Sequence, residues 1–308
     1  MLLMMIIFTV LYFITSMTML RHWGRPPYDL RAEFLLSYTR FLDYVHGILT
    51  SWNWGVTGIY DESVWSFAWQ RMWVTMRLNL LALAIYLPIG IILGIASALK
   101  KGSWFDRGVS TVTMVFGSIP HFILVLLLVV FFGIRYRIVP MQFPGFHIDD
   151  TVRLLKGLAI PMFALCMPPI FKFTRLVRAE FIDAQYDDYL LLCKTKGLTT
   201  SQTMRRHTFR NCMVPVLPEL APTFIFVLGG SFFVEMIYGI DGVARLIFDS
   251  LLVPFMDRTY MIIIDIPMTM VTTMFYAAFG LVFALLVDVA YPLVDPRIRI
   301  GAKPTDHQ

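Results

Sequence analysis

The stretch that decides the fold runs from Arg175 to Pro215 and reads R-L-V-R-A-E-F-I-D-A-Q-Y-D-D-Y-L-L-L-C-K-T-K-G-L-T-T-S-Q-T-M-R-R-H-T-F-R-N-C-M-V-P. It is the longest polar segment in the second half of an otherwise very apolar sequence. The run from Asp187 to Lys196 contains neither Gly nor Pro, so it predicts a short helix. Gly197 can adopt the positive φ that ends such a helix. The segment therefore predicts a helix that stops at a sharp glycine corner.

A second helix is predicted directly after this corner. Thr199 and Gln202 have the spacing of a capping box, which places the start of that helix near Thr200. Pro215 has no backbone N–H to donate to a helix, yet it opens the next apolar run. A charged unit of helix, corner and helix between two membrane-length segments is suited to contact with another protein.

The composition is that of a protein embedded in a membrane. The chain has 308 residues, of which 57% are hydrophobic and 15% charged, and its mean hydropathy is +0.68. A soluble domain carries roughly 25% charged residues. The net charge of +5 does not indicate nucleic acid as a partner, because the basic residues are spread over the predicted membrane flanks. Little length remains for a separate soluble enzyme domain.

No constellation of catalytic or metal-binding residues is found in the sequence. It contains no H-E-x-x-H, no G-x-S-x-G and no phosphate-binding loop. Cys166, Cys193 and Cys212 lack the spacing of metal ligands, and we expect no disulfide among them. His121 follows a proline in an apolar run and is expected to be a packed polar residue. We therefore expect no enzyme activity, metal or cofactor on this chain, and no unaided ATP hydrolysis.

Six transmembrane helices are predicted from the apolar runs, since a bilayer requires roughly 20 apolar residues per helix. The fourth run, 157–171, is short, so its helix is expected to continue through Lys172 and Arg175. The stems of these two side chains can extend toward the inner membrane surface. The predicted spans are 1–20, 73–99, 108–134, 157–175, 213–233 and 263–286.

The polar segments between these spans define the domain organisation. Residues 21–71 are charge-balanced and rich in tryptophan, and we place them outside, with an amphipathic helix over 34–49. The loop 100–107 carries three basic residues in eight, which favours the cytoplasmic side. The remaining segments are an external loop (135–156), a transmembrane core (72–292) containing a cytoplasmic loop (179–212), a short interfacial or re-entrant helix (246–255) and a cytoplasmic tail (293–308).

The residues around the glycine corner resemble the cytoplasmic coupling loop, or EAA loop, of bacterial ABC importer permeases. The closer resemblance is to the first permease of oligopeptide and dipeptide importers, whose loop reads like D-Y-x-x-x-A-x-A-K-G-L and then R-H-x-x-R-N-x-x-x-P-V-L. This chain departs from the pattern where the wider family favours Glu-Ala-Ala, with Leu191, Leu192 and Cys193 in those places. The matching residues are Asp188-Tyr189, Lys196-Gly197-Leu198, Arg206-His207, Arg210-Asn211 and Pro215-Val216-Leu217.

Other parts of the chain resemble the same family, so that the similarity extends over residues 50–299. The turn from Lys100 to Arg107 matches the pattern (R/K)-x-G-S-W-x-D-R, and Ser51 to Gly58 resembles G-D-F-G-x-S. Ile240 to Leu246 resembles W-P-G-L-G-R-L, although Asp and Ala replace its proline and second glycine. The tail from Asp295 to Arg299 matches D-P-R-(I/V)-R.

The resemblance implies an all-α membrane protein with the type I ABC importer permease fold, in a bacterial inner membrane. It implies a heterodimer with a second, homologous permease that forms the pathway for peptides. Two cytoplasmic ATPases would hold ATP and Mg²⁺, and an extracytoplasmic binding protein would deliver the peptide. The ATPase-coupling residues implied are Asp188, Tyr189, Leu191, Cys193, Lys196, Gly197, Leu198, Arg206, Arg210, Asn211 and Pro215.

Glu219 is the acidic residue of interest in the fifth span. Eight residues beyond Asn211, taken as the cytoplasmic edge, put Glu219 about 12 Å deep at ~1.5 Å per residue. An unpaired charge at this depth is costly, so we expect either an ion pair with Lys172, which we favour, or a position in the pathway. Gly229 and Gly230 are candidate pathway residues that are also expected to permit close approach of helices.

Three alternatives remain at this stage. An ion-gradient-driven secondary transporter would require functional carboxylates within the membrane, for which Glu219 and Asp265 are the candidates. A permease of the same family could carry a non-peptide substrate such as nickel or glutathione. A membrane-embedded enzyme is disfavoured by the lack of a nucleophile or metal constellation.

Overall fold

The computed structural model describes most of the chain as helices. Four of them are long and apolar enough to cross a membrane: Val64–Leu99, Thr151–Asp183, Phe209–Tyr238 and Ile266–Pro292. The described residues are 6, 9–10, 12–14, 30–57, 63–117, 119–147, 149–185, 193, 195–197, 199–204, 208–251, 253–254, 260–261 and 265–294.

The helices are numbered here in chain order. They are α1 (Leu30–Ser51), α2 (Val64–Leu99), α3 (Trp104–Phe116), α4 (His121–Leu128), α5 (Thr151–Asp183), α6 (Thr200–Thr203), α7 (Phe209–Met213), α8 (Leu220–Tyr238), α9 (Val243–Leu251) and α10 (Ile266–Val294). A π-helix (Val129–Arg135) extends α4, and a 3₁₀ turn (Leu217–Glu219) precedes α8. Two short strands, β1 (Val253–Pro254) and β2 (Tyr260–Met261), pair antiparallel.

Four of the six predicted spans correspond to segments long and apolar enough to cross a membrane. Three of them lie in α2, α5 and α10, and the fifth predicted span lies in Phe209–Tyr238, which comprises α7, the 3₁₀ turn and α8. The fourth span continues through Lys172 and Arg175, as expected, and α5 ends at Asp183. The prediction of an external loop up to Lys156 was wrong in its second part, because α5 already begins at Thr151. The side chain of Asp150 starts this helix by accepting hydrogen bonds from the backbone N–H of the two residues after Thr151, at 2.9 and 3.1 Å.

The predicted third span, 108–134, is not a single helix. Helix α3 ends at Phe116, and α4 starts after Pro120, whose lack of an N–H and fixed φ suit it to a helix start. The apolar piece that follows, Phe122–Arg135, is shorter than a typical span. Most of the predicted first span and the cytoplasmic tail lie outside the described residues.

One of the predicted surface helices is present, and another is shifted along the chain. Helix α1 confirms the helix expected over 34–49. Helix α9 replaces the one expected over 246–255: it begins earlier, at Val243, and ends at Leu251, just before β1.

The chain divides into two compact units. The first comprises Met1–Leu78 and Gly239–Phe279, and the second Asn79–Tyr238 and Gly280–Gln308. The first unit has a core of buried apolar residues, and Thr75 Oγ1 accepts a 2.9 Å hydrogen bond from the N–H of Val243 at the start of α9. The core residues are Trp54, Val64, Ala68, Met72, Val243, Leu246, Met268, Val271 and Phe275.

The second unit contains a close pair of helices formed by α5 and the C-terminal half of α2. A Cβ added at Gly90 would lie 2.8 Å from the Cβ of Phe173, and one at Gly94 would lie 2.7 Å from the Cβ of Val177. Side chains with a Cβ would therefore force the helices apart. At Gly229, a Cβ would meet no atom of this chain within 4 Å, whereas the adjacent Gly230 is buried. The close helix approach expected at these two glycines stays a prediction.

Candidate coupling site and its surroundings

The Gly197 corner is described at residues 196–197 and 199–202, which have the predicted positive φ and capping box. Most of the helix predicted over 187–196 lies outside the described residues. Gly197 has φ +74°, the left-handed conformation that glycine adopts without steric cost. The N–H of Thr199 donates to Gln202 Oε1 at 3.0 Å, and the N–H of Gln202 donates to Thr199 Oγ1 at 3.3 Å. This reciprocal pair is the predicted capping box, and α6 begins at Thr200.

The glycine itself presents an open surface. Both Lys196 and Gly197 are exposed, and a Cβ added at Gly197 would meet no atom within 4 Å. No packing among the described residues thus explains why a glycine stands here, apart from its backbone conformation.

The segment that carries the corner is anchored on the ends of two long helices. Cys212 of α7 is 1% exposed and belongs to a buried cluster with Ala98, next to the end of α2, and with Phe181 and Ile182 near the end of α5. Met204, one residue beyond α6, packs against the same cluster. The segment that carries the corner therefore contacts the ends of both helices through apolar side chains.

Six of the predicted coupling residues lie within the described part of the chain. Cys193 is buried, whereas Lys196 and Gly197 are exposed at the corner. Arg210 and Asn211 are exposed on α7, and Pro215 follows, half-buried. The other five predicted coupling residues lie outside the described residues: Asp188, Tyr189, Leu191, Leu198 and Arg206.

A cluster of hydrogen bonds around Asp106 was not predicted from the sequence. Arg178 Nε donates to Asp106 Oδ1 at 2.6 Å, and Arg178 Nη2 donates to Oδ2 at 2.8 Å. Ser97 Oγ donates to Oδ1 at 2.6 Å, and the N–H of Gly102 donates to Oδ2 at 2.9 Å. We call these four residues the Asp106 cluster.

The environment of Asp106 keeps its carboxylate charged. The hydrogen bonds from Arg178 hold the pKa of this carboxyl well below its usual range, and those from Ser97 and Gly102 act in the same direction, against the opposing effect of burial. The residue is 3% exposed. Its position in the turn pattern from Lys100 to Arg107 was the available sequence signal, but its partner Arg178 is 72 residues away.

The predicted ion pair between Lys172 and Glu219 is present. Lys172 Nζ lies 2.7 Å from Glu219 Oε2 and donates to Thr223 Oγ1 at 2.9 Å. The side chains of Lys172 and Glu219 remain 41% and 42% exposed in the single chain. Glu219 lies in the 3₁₀ turn before α8 rather than inside an uninterrupted helix.

Asp265, the other carboxylate considered for an ion-coupled transporter, caps a helix. Its Oδ1 accepts a 3.1 Å hydrogen bond from the N–H of Met268 in the first turn of α10. Its own N–H donates to the carbonyl of Ser250 at 2.8 Å. This geometry gives Asp265 a structural task. No group of His, Cys, Asp and Glu suited to a metal ion is found among the described residues.

Comparison with known proteins gives one consistent result. A sequence profile of the family described as "binding-protein-dependent transport system inner membrane component" matches residues 90–300. A putative peptide transport system permease protein of Brucella abortus (strain 2308) is 31% identical over 230 residues, covering 75% of this chain and 70% of the relative. The dipeptide transport system permease protein DppB of Lactococcus lactis subsp. cremoris (strain MG1363) is 30% identical over 264 residues, covering 85% of this chain and 81% of the relative.

A solved structure shares the fold. A chain of the MetNI methionine ABC transporter, in an inward-facing conformation, superposes with a TM-score of 0.50 at 14% identity, covering 76% of this chain and 97% of that chain. The fold is that of a type I ABC importer permease. With its long apolar helices, the chain is a multi-pass protein of the bacterial inner membrane. It belongs to the family of inner membrane components of binding-protein-dependent transport systems.

Proposed function

We propose that this chain is one of two permease subunits of an ATP-driven importer of peptides. The observation that carries the proposal is the Gly197 corner, an exposed glycine with φ +74° fixed by a capping box and located between two membrane-spanning helices. Two cytoplasmic ATPases hold ATP and Mg²⁺, and one of them receives this corner. A second permease completes the pathway, and an extracytoplasmic binding protein delivers the substrate.

Peptides are the proposed substrates because relatives that are 30–31% identical over most of this chain carry peptide and dipeptide transport names. The sequence similarity extends over most of this chain, including both helices next to the corner. A non-peptide substrate has no comparable support among these relatives.

The proposed mechanism is a two-state pathway. Closure of the ATPase pair on ATP moves the corner, and the anchored ends of α2 and α5 move with it, since Ala98, Phe181 and Cys212 share one buried cluster. The permease then changes from an inward-open to an outward-open arrangement. The ATPase can shift this equilibrium only if it binds the corner differently in the two states.

Glu219, Gly229 and Gly230 are proposed to lie along or near this pathway. Gly229 is exposed and would accommodate a Cβ without contact inside this chain, so its open side is available to the second permease or to the substrate. Glu219 is 42% exposed although it is paired with Lys172. Exposed charges are costly in hydrocarbon, which favours a polar or aqueous surrounding for this pair.

The test compares two glycine substitutions with the same backbone cost. Gly197 and Gly145 both have positive φ, at +74° and +93°, and a Cβ at either position would meet no atom within 4 Å. An aspartate at each site carries a similar conformational cost of roughly 1–2 kcal/mol. Gly145 lies in the loop predicted to be external, so Gly145→Asp is the matched control.

Gly197→Asp is expected to leave membrane insertion intact and to abolish transport driven by ATP, because the added side chain blocks entry of the corner into the ATPase. Gly145→Asp is expected to retain transport. Both variants are measured in the reconstituted complex for assembly, ATP hydrolysis and peptide uptake. Equal transport by the two variants would mean that the corner is only a solvent-exposed connection.

A further inference from the structure

We propose that Asp106 is a positioning residue for transport. It joins the cytoplasmic ends of α2, α3 and α5 into one body that moves as a unit with the Gly197 corner. This inference rests on the proposed function, because it concerns how motion of the corner reaches the transmembrane helices.

Groups from α2, from the turn after it and from α5 converge on the carboxylate of Asp106 in α3. Ser97 lies near the end of α2, Gly102 lies in the turn after it, and Asp106 itself lies in the first turn of α3. Arg178 comes from α5, 72 residues further along the chain. Both carboxylate oxygens accept two hydrogen bonds each, at distances from 2.6 to 2.9 Å.

The contact between Arg178 and Asp106 is bidentate. Two parallel hydrogen bonds from a guanidinium to a carboxylate fix both distance and orientation, which a single bond from an ammonium does not. Asp106 is 3% exposed, so water does not readily replace Arg178. Removal of Arg178 would leave the buried carboxylate of Asp106 without its counter-charge, which is strongly unfavourable.

Arg178 is close to the C-terminal end of α5. It lies five residues before Asp183, where α5 ends and the segment leading to the Gly197 corner begins. The buried cluster with Phe181, Ile182 and Cys212 covers the same end of the helix. The Asp106 cluster thus attaches α3 at the point where a movement of the corner enters α5.

Helices α2 and α5 are also in contact along their length. The rings of Tyr86 and Phe173 are stacked with centroids 6.0 Å apart, and the added-Cβ distances at Gly90 and Gly94 leave no room between the helices. One hydrogen bond also joins the two helices along this length, from Thr174 Oγ1 to the carbonyl of Gly90 at 3.4 Å, whereas the other contacts are apolar or involve small residues. The Asp106 cluster adds a charged, bidentate contact at the end nearest the corner, which restricts sliding and rotation there more strongly.

The consequence is a division of tasks. The Gly197 corner receives the movement of the ATPase, and the Asp106 cluster converts it into a joint displacement of α2, α3 and α5. Without the Asp106 cluster, α3 is expected to lag behind α2 and α5 when the corner moves, because, among the described residues, α3 contributes none to the buried cluster around Cys212. ATP hydrolysis would continue, but a smaller share of its cycles would open the pathway.

The experiment uses the complete transporter in lipid vesicles and two substitutions in the cluster. Asp106→Asn keeps the shape of the side chain and removes its charge, and Arg178→Lys keeps the charge and removes the planar fork. Arg175→Gln is the matched control, because Arg175 is an exposed cation on the same helix. The first readout is the number of peptides transported per ATP hydrolysed.

The second readout is the distance between two spin labels, one on α3 and one on α5. If the Asp106 cluster only stabilised the fold, this distance would stay independent of nucleotide in the cluster variants. Spin labels are placed at Trp104 on α3, which is 86% exposed, and at the exposed Ala179 on α5, after replacement of the three native cysteines. In the otherwise unchanged protein and in Arg175→Gln, we expect one narrow distance that is the same without nucleotide and with trapped ATP. In Asp106→Asn and Arg178→Lys, we expect a distance that broadens or shifts when ATP binds.

Transport per ATP is expected to fall at least about fivefold in the two cluster variants, the lower end of typical couplings between sites. An unchanged ratio in both variants would overturn the proposal, as would a distance that already shifts with ATP in the unsubstituted protein. If Asp106→Asn does not assemble, Arg178→Lys decides by the same two readouts. Failure of the unsubstituted complex to import peptides would instead contradict the proposed function, because the label distance reports the cluster without any substrate.

Discussion

Removal of the charge at Glu219 should destabilise the protein more than removal of the whole ion pair. Glu219→Gln removes the counter-charge of the Lys172 ammonium and leaves it with neutral acceptors, the new amide oxygen and the hydroxyl of Thr223, 2.9 Å away. The double variant Glu219→Gln with Lys172→Met leaves no charge behind. We therefore expect the double variant to be the more stable of the two.

The magnitude follows from the exposure of the pair. An unpaired charge within a membrane costs on the order of 2.5–3.5 kcal/mol on insertion scales, whereas an exposed pair in water contributes about 1 kcal/mol or less. The side chains of Lys172 and Glu219 are 41% and 42% exposed, so solvent screening places the effect near the lower value. We expect Glu219→Gln to cost about 1 kcal/mol of unfolding free energy, by the same reasoning.

The assay is a double-mutant cycle on the free energy of unfolding, measured by titration with a denaturing detergent. The four proteins are the unsubstituted chain, Glu219→Gln, Lys172→Met and the double variant, and Arg175→Gln controls for loss of a cation on the same helix. The reasoning is refuted if Glu219→Gln unfolds like the unsubstituted chain and selectively slows import of cationic peptides. Glu219 would then act on the substrate, and its contact with Lys172 would not stabilise the fold.

Two further predictions concern packing and topology. Gly94→Ala is expected to cost about 1–3 kcal/mol of unfolding free energy through overpacking, because its Cβ would lie 2.7 Å from the Cβ of Val177, whereas the control Gly229→Ala should be tolerated within the chain. A similar free energy of unfolding for Gly94→Ala and Gly229→Ala would contradict the close pairing of α2 and α5. Ser51→Cys, at an exposed position, should react with a membrane-impermeant maleimide from outside intact cells. Reaction only after permeabilisation would invert the predicted topology.

Local patterns in the sequence were sufficient to predict the Gly197 corner. The capping box of Thr199 and Gln202 and the positive φ of Gly197 depend on residues within a few positions of each other. The contact between Lys172 and Glu219 was also predictable, because two charges near the same end of neighbouring helices need a partner in the membrane.

Features that depend on tertiary contacts were not predictable. The pairing of Asp106 with Arg178 joins residues 72 positions apart, and no local spacing encodes it. The close approach of α2 and α5 at Gly90 and Gly94 was not predicted either, because a glycine's packing partner is set by the neighbouring helix.

Helix boundaries within apolar and polar runs were predicted only in part. The break before α4 was overlooked because the apolar composition of 108–134 outweighed the signal of Pro120. The start of α5 was placed too late because Arg153 and Lys156 were interpreted as loop residues, although Asp150 supplies a local cap.

The most direct test of the account is the energy source of transport in vesicles that contain both permeases and the two ATPases. With the binding protein and a labelled peptide outside and ATP inside, and with no ion gradient, we expect uptake that requires ATP hydrolysis. The same vesicles with a proton or sodium gradient but without ATP should take up no peptide. Uptake that follows the ion gradient and is indifferent to ATP would contradict the account.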